Sequence, residues 1–249
     1  MAGKAALKMG AGLVTVGTPK SCLPMVSRSM LELMTEPLAE TEKGTLAEQA
    51  ADRILELLEG KDALMLGPGI STHPSTAALV FELLPRVNVS MVIDADGLNI
   101  LAERPEILKI LKGPVVLTPH PGEFARLLGI DTKQVVSEKL ELVPRFAQEY
   151  GIYLVLKGYR TLTAAPDGRT FINPTGNPGL ATGGSGDVLS GMLVSMIMQG
   201  DDLLEAVLAA VYTHGLSGDL AAERYGEKPL VAGNIITYLP SAIRALRAW

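Results

Sequence analysis

Asn173 to Met192 reads NPTGNPGLATGGSGDVLSGM, and its residue types are suited to binding an anion. Gly176, Gly179, Gly183, Gly184 and Gly186 crowd the approach to an apolar run. A glycine-rich entry into a helix leaves several backbone N–H groups unpaired and pointing one way. Together with the positive end of the helix dipole they make an anion site. Gly183, Gly184, Ser185 and Gly186 are the candidate cradle. Asp187 stands at the start of that helix. Two roles are open to it: helix capping, or proton handling beside a bound phosphate.

Two further segments carry polar groups in rigid settings. In Thr118-Pro119-His120-Pro121-Gly122-Glu123 the prolines fix the backbone around His120. Glu123 then opens a helix, as a favourable N-terminal charge or as a holder of Mg²⁺ through water. Magnesium takes few carboxylates and completes its shell with phosphates and waters. Lys157-Gly158-Tyr159-Arg160-Thr161 offers a lysine and backbone amides to a nucleotide phosphate or ribose, or is simply a solvated loop. His73 lies in a polar loop, and His214 reads as a core histidine in an apolar helix. The three histidines lack metal-ligand spacing. No GxSxG elbow, P-loop or post-strand GxGxxG is present, which disfavours a serine hydrolase and a Rossmann dehydrogenase.

These residues need elements to position them. Short apolar runs at Leu13 to Val16, Ala63 to Leu66, Val89 to Ile93, Val115 to Leu117 and Ile152 to Leu156 predict strands buried on both faces. Met1 to Met9, Leu46 to Leu58, Pro74 to Leu84, Gly122 to Leu128 and Val135 to Tyr150 predict helices. Asp167-Gly168 predicts a hairpin turn between two further strands. From Gly186 onward the chain reads as helix, with breaks near Gly200 and Gly226. The alternation predicts an α/β fold with a mostly parallel central sheet and helices on both faces. No linker stands out, so residues 1–249 read as one domain. Gly69, Asp94, Asp96, His120 and Lys157 all fall just past the carboxyl ends of expected strands, the edge where open parallel sheets bind ligands.

Composition narrows the class. Of 249 residues, 47% are hydrophobic and 20% charged, so a large core is expected and disorder is not. The net charge of -5, without a basic run, gives no reason to expect a nucleic-acid partner. No apolar run is long enough to span a bilayer, so no membrane partner is expected. Cys22 is the single cysteine, which rules out an internal disulfide and suits a reducing cytoplasm, the expected location.

Four segments together, GAGLVTVGTP, LMLGPGIS, VLTPHPGEFARLLG and NPTGNPGLATGGSGDVLSGM, resemble the ADP- or ATP-dependent (S)-NAD(P)H-hydrate dehydratases of the ribokinase-like superfamily. VIDADGLN and VLKGYRT fit as well, and the resemblance runs the length of the chain. It implies a ribokinase-like fold and a hydro-lyase of metabolite repair. A nucleotide phosphorylates the hydroxyl of hydrated NADH or NADPH, and loss of phosphate restores the ring. With ADP as donor the products are AMP and phosphate. The resemblance implies Asp187 as the catalytic base, and Gly69, His120 and Asp187 at the hydrated cofactor. It implies Lys157, Gly158, Tyr159, Arg160, Thr161 and Gly183 to Gly186 at the adenine nucleotide, with Mg²⁺ at Glu123. A homo-oligomer, a tetramer among the candidates, is the implied assembly.

Family members carry a first strand and a glycine- and serine-rich loop before the helix that here begins at Met1. The expectation is therefore an N-terminally truncated domain whose reading frame extends upstream, with an epimerase domain on that side in some bacterial members. The alternative activity is a small-molecule kinase of the same superfamily acting on a vitamin-precursor alcohol. A nucleotide-binding protein without catalysis is the third reading.

Overall fold

Four of the apolar runs become consecutive parallel strands of one sheet, the first of them at its edge. The computed structural model describes residues 1–200 and 202–247, so Asp201 and the expected domain end at Ala248 and Trp249 lie outside the described residues. In chain order the elements are α1 (Ala2–Lys8), β1 (Thr15–Pro19), α2 (Leu23–Ser27), β2 (Met34–Leu38), α3 (Ala51–Leu58), β3 (Ala63–Leu66) and α4 (Pro74–Leu83). Then come β4 (Ser90–Ile93), α5 (Asp96–Leu101), β5 (Val115–Leu117), α6 (Pro121–Leu128), α7 (Thr132–Tyr150) and β6 (Tyr153–Leu156). The chain continues through β7 (Leu162–Ala164), β8 (Thr170–Ile172), α8 (Ser185–Met196), α9 (Leu203–Tyr225) and α10 (Ala232–Arg247).

The strand order is β3-β4-β5-β6-β7-β8. The first four strands run parallel, and β7 and β8 are antiparallel additions that form the expected hairpin. Alternate residues sort to two cores, as the period of two requires. Met91, Ile93, Leu117, Leu154 and Leu156 join the layer built with Leu83, Leu98, Phe124 and Phe146. Val92, Val116 and Val155 face the other way, onto Ala5, Val188, Met192, Val207 and Ile235 of α1, α8, α9 and α10. With both faces covered, these strands have no polar side, which is why their sequences do not alternate. No helix of the described residues is long and apolar enough to cross a membrane.

The N-terminal part differs from expectation. The strand expected over Leu13 to Val16 starts at Thr15 instead; Leu13 before it is 77% exposed, and Thr18 is the one buried residue of β1. Its partner is β2, in a separate two-stranded parallel sheet. Thr35, Glu36 and Pro37 hide β2 in the sequence. Leu38 is its one buried residue, and it packs with Leu46, Ala50, Ala51 and Leu79. The helix expected from Leu46 begins as a 3₁₀ turn at Glu48, because Leu46 is held extended by a bridge to Glu40.

α1 crosses α8 at Gly191. A Cβ there would run into the carbonyl oxygen of Ala2, so the backbones meet where no side chain fits. Gly191→Ala is expected to destabilise the protein by about 1–3 kcal/mol through overpacking, read as a lower midpoint in urea unfolding at unchanged slope.

Candidate active site at the carboxyl edge of the sheet

Register brings the polar turns together. Leu66, Ile93 and Leu117 lie side by side, so Gly67, Asp94 and Thr118 leave the sheet at one edge. The Lys157 N–H donates to the Pro119 carbonyl at 2.8 Å, which draws the turn after β6 to the same place. Gly67 takes φ +133, and a Cβ on it would collide with the Asp94 carbonyl oxygen, so only glycine fits.

Asp94 is the centre of the cluster, 1% exposed. Its Oδ1 accepts from Lys157 Nζ at 2.6 Å and its Oδ2 from Ser190 Oγ at 2.8 Å. Lys157 Nζ also lies 3.8 Å from Glu123 Oε2. That oxygen accepts the His120 N–H at 2.7 Å, while His120 Nδ1 accepts from the amides of Gly122 and Glu123 at 3.0 and 3.3 Å. The exchange is a capping box with histidine in the place of serine or threonine. An accepting Nδ1 puts the neutral ring's proton on Nε2, which faces Glu123 Oε1 at 3.4 Å. The helix-charge reading of Glu123 is thus present in the geometry. Oε1 is its oxygen without a backbone donor. Among the described residues no group of three or more His, Cys, Asp or Glu could cage a metal. A site of one carboxylate fits magnesium only with phosphate oxygens and water completing the shell.

The glycine-rich turn sits beside this cluster. Gly184, at φ +85, is the residue before α8 and gives it no side-chain cap. Capping by Asp187 is absent, since Asp187 lies inside the first turn. The N–H groups of Gly183, Gly184 and Gly186 find no hydrogen-bond partner among the described residues. A Cβ on Gly186 would stand 3.3 Å from Lys157 Nζ and 3.6 Å from Asp94 Oδ2, so the open amides adjoin the ion pair. Asp187 is half-buried. Burial pushes its carboxyl above the ordinary aspartate value, the Met1 ammonium opposes this, nearby Asp94 adds to it, and Lys157 opposes it more weakly.

The other expected residues divide. Gly69, at φ +72, opens onto free space, and the turn after it is pinned where the Ser71 N–H donates to Asp96 Oδ2 at 2.8 Å. Lys157 turns inward to Asp94. Tyr159, Arg160 and Thr161 do not reach the carboxylates. Tyr159 is 86% exposed, Arg160 Nη1 donates to the Pro174 carbonyl at 3.2 Å, and Thr161 Oγ1 donates to the Gly158 carbonyl at 3.1 Å. That half of the loop follows the start of the glycine-rich segment. Ala95, between the two acids, holds φ +49, a strained setting for an L-residue.

Asp94 was legible as an edge residue but not as the buried hub, and Ser190 left no signal. His214 is the core histidine expected. It is buried, with Nε2 3.1 Å from the Ser185 carbonyl and 3.3 Å from Ser185 Oγ. Burial pushes its pKa down to about 4. The unfolded chain therefore takes up a proton below pH of about 6.5 that the folded protein refuses. Stability contributed by neutral His214 is complete above that pH and falls as pH drops toward 4. Between pH 7 and 5 this one group is expected to remove about 2 kcal/mol of unfolding free energy. His214→Gln should flatten that part of the profile, measured by urea unfolding at the two pH values.

A family profile described as NAD(P)H-hydrate dehydratase matches residues 1–241. A bifunctional NAD(P)H-hydrate repair enzyme from Moorella thermoacetica is 46% identical over 99% of this chain and 46% of its own length. The chain thus spans about half the length of the first curated relatives it matches. In Bacillus subtilis, an ADP-dependent (S)-NAD(P)H-hydrate dehydratase is 34% identical over 96% of this chain and 82% of its own. A solved ADP/ATP-dependent dehydratase from that organism, co-crystallised with ATP and Mg²⁺ and soaked with CoA, superposes with a TM-score of 0.81 at 29% identity, over 98% of this chain and 85% of that one. A ribokinase-like superfamily protein from Enterococcus faecalis gives 0.83 at 26% identity, over 98% and 81%. The fold is ribokinase-like, and the chain belongs to the NAD(P)H-hydrate dehydratase family.

Proposed function

We propose that this protein dehydrates the S epimer of hydrated NADH or NADPH at the expense of ADP or ATP. The observation that carries the reading is Asp187, a half-buried carboxylate of raised pKa at an uncapped, glycine-lined helix start beside the Asp94–Lys157 pair. A carboxylate with raised pKa is a better base for a hydroxyl.

Asp187 takes the proton of the ring hydroxyl as its oxygen attacks the terminal phosphorus of the nucleotide. The new O–P bond forms as the bond to the leaving nucleotide breaks, giving AMP from ADP. The amides of Gly183, Gly184 and Gly186 and the Lys157 ammonium stabilise charge on the phosphoryl group, where a single preorganised donor is worth about 3 kcal/mol. Glu123 Oε1 and the phosphates would hold magnesium, which neutralises phosphate charge. The C–O bond to phosphate then breaks with electrons from the ring nitrogen, and loss of a ring proton restores the reduced nicotinamide. Gly69 and His120 line the side given to the hydrated ring. Lys157 to Thr161 line the side given to the nucleotide.

Phosphorus NMR tests the reading. Protein, Mg²⁺, ADP and the hydrated cofactor should yield AMP and inorganic phosphate in equal amounts, with nicotinamide recovered one for one. A stable phosphate ester of an added alcohol, with no recovery from the hydrate, would favour the small-molecule kinase.

A further inference from the structure

Between Leu180 and Ser185 the glycine-rich turn has no side-chain hydrogen bond of its own among the described residues, and amides given to phosphate have to stay open. We propose that α9 sets its conformation, with His214 and Asp219 as positioning residues that touch neither reactant; this rests on the assignment of the turn as the phosphate site.

The two contacts bracket the turn. On the far side His214 Nε2 meets the Ser185 carbonyl at 3.1 Å, at the first residue of α8. On the near side Asp219 accepts the Gly176 N–H at 2.8 Å and Asn177 Nδ2 at 2.9 Å. Asn177 Oδ1 in turn accepts the Gly179 N–H at 3.0 Å and starts the turn Pro178–Leu180. Thr175 Oγ1 donates to the Tyr212 carbonyl at 2.9 Å. All three anchoring residues lie on α9, and the helix comes this close because it carries no side chain at two points between them. A Cβ on Gly215 would strike Thr175, and one on Gly218 would strike Leu180. Ala181 to Gly184, which includes two of the three amides given to phosphate, is the stretch left between the anchors, and no side-chain hydrogen bond holds it among the described residues.

A displaced cradle loses transition-state contacts before it loses substrate affinity, and misplacement of about 1 Å costs roughly 100-fold. His214→Leu keeps the volume and removes the donor. His214→Gln returns an N–H in reach of the same carbonyl. Asp219→Ala tests the other anchor at a half-buried position where folding is less at stake. The readouts are kcat and KM for ADP and for the hydrate. A further readout, independent of turnover, is hydrogen exchange of the Ser185 and Val188 amides in the unliganded protein. Expected for His214→Leu and Asp219→Ala are a kcat lowered by about 10- to 100-fold, KM for the hydrate unchanged, and exchange of those amides faster by about tenfold. His214→Gln should recover most of both. Unchanged exchange and kcat in folded Asp219→Ala would overturn the proposal, as would a His214→Gln indistinguishable from His214→Leu. If His214→Leu does not fold, Asp219→Ala and His214→Gln decide. Wild-type protein that does not turn over the hydrate would count against the activity, and the exchange data would still judge the positioning role.

Discussion

Asp187→Asn is expected to lower kcat by about 10²- to 10⁴-fold, the range for removal of a positioned general base. ADP affinity should stay within a few-fold, because the amides proposed to meet phosphate belong to Gly183, Gly184 and Gly186. The substitution should not weaken the fold. The folded protein raises the Asp187 pKa by burial, so the ionised carboxylate costs stability at neutral pH, and the cost disappears as pH falls through the raised value. An amide carries no such cost. A capping role makes the opposite forecast, a loss of about 1 kcal/mol with turnover intact. Steady-state kinetics and urea unfolding on one preparation separate the two. For the same reason the acid limb of the wild-type kcat/KM profile should lie above the ordinary aspartate range.

Lys157→Leu should have the largest effect on stability. It leaves the Asp94 carboxylate, 1% exposed, with only the Ser190 hydroxyl as partner, and removes the cation nearest Glu123. Breaking one side of a buried pair costs about 3–5 kcal/mol, because the other charge stays buried and uncompensated. Asp94→Asn with Lys157→Leu, which removes both charges, should recover a large part of that loss without restoring turnover. A double-mutant cycle in urea gives the coupling. Two single losses that merely add would mean that the 2.6 Å contact contributes nothing of its own.

The parts of this protein legible in its sequence are those built from neighbours. β3 to β6 are continuous apolar runs because both faces of each strand are covered, and each ends at a turn residue. That is enough to place Gly69, Asp94, His120 and Lys157 on one edge. The glycine run before Val188 announces its own open amides. Contacts between distant segments were not legible. Lys157 reads as a solvated or nucleotide-facing lysine until the fold brings Asp94 against it. β2 is hidden by Thr35, Glu36 and Pro37, since it needs only Leu38 to reach a core. His214 and Asp219 look like ordinary members of a long helix. Their meaning depends on the close approach that Gly215 and Gly218 permit, and that approach exists only after α9 packs on the segment ending at Leu180.

The most direct measurement is the return of reduced-nicotinamide absorbance from purified S-hydrated NADPH with Mg²⁺ and ADP. The wild-type protein and Asp187→Asn should be compared at equal fold stability. The proposed role of Asp187 predicts recovery with the wild type, none with the R epimer, and almost none with Asp187→Asn despite normal ADP binding. Recovery by Asp187→Asn at the wild-type rate would contradict it.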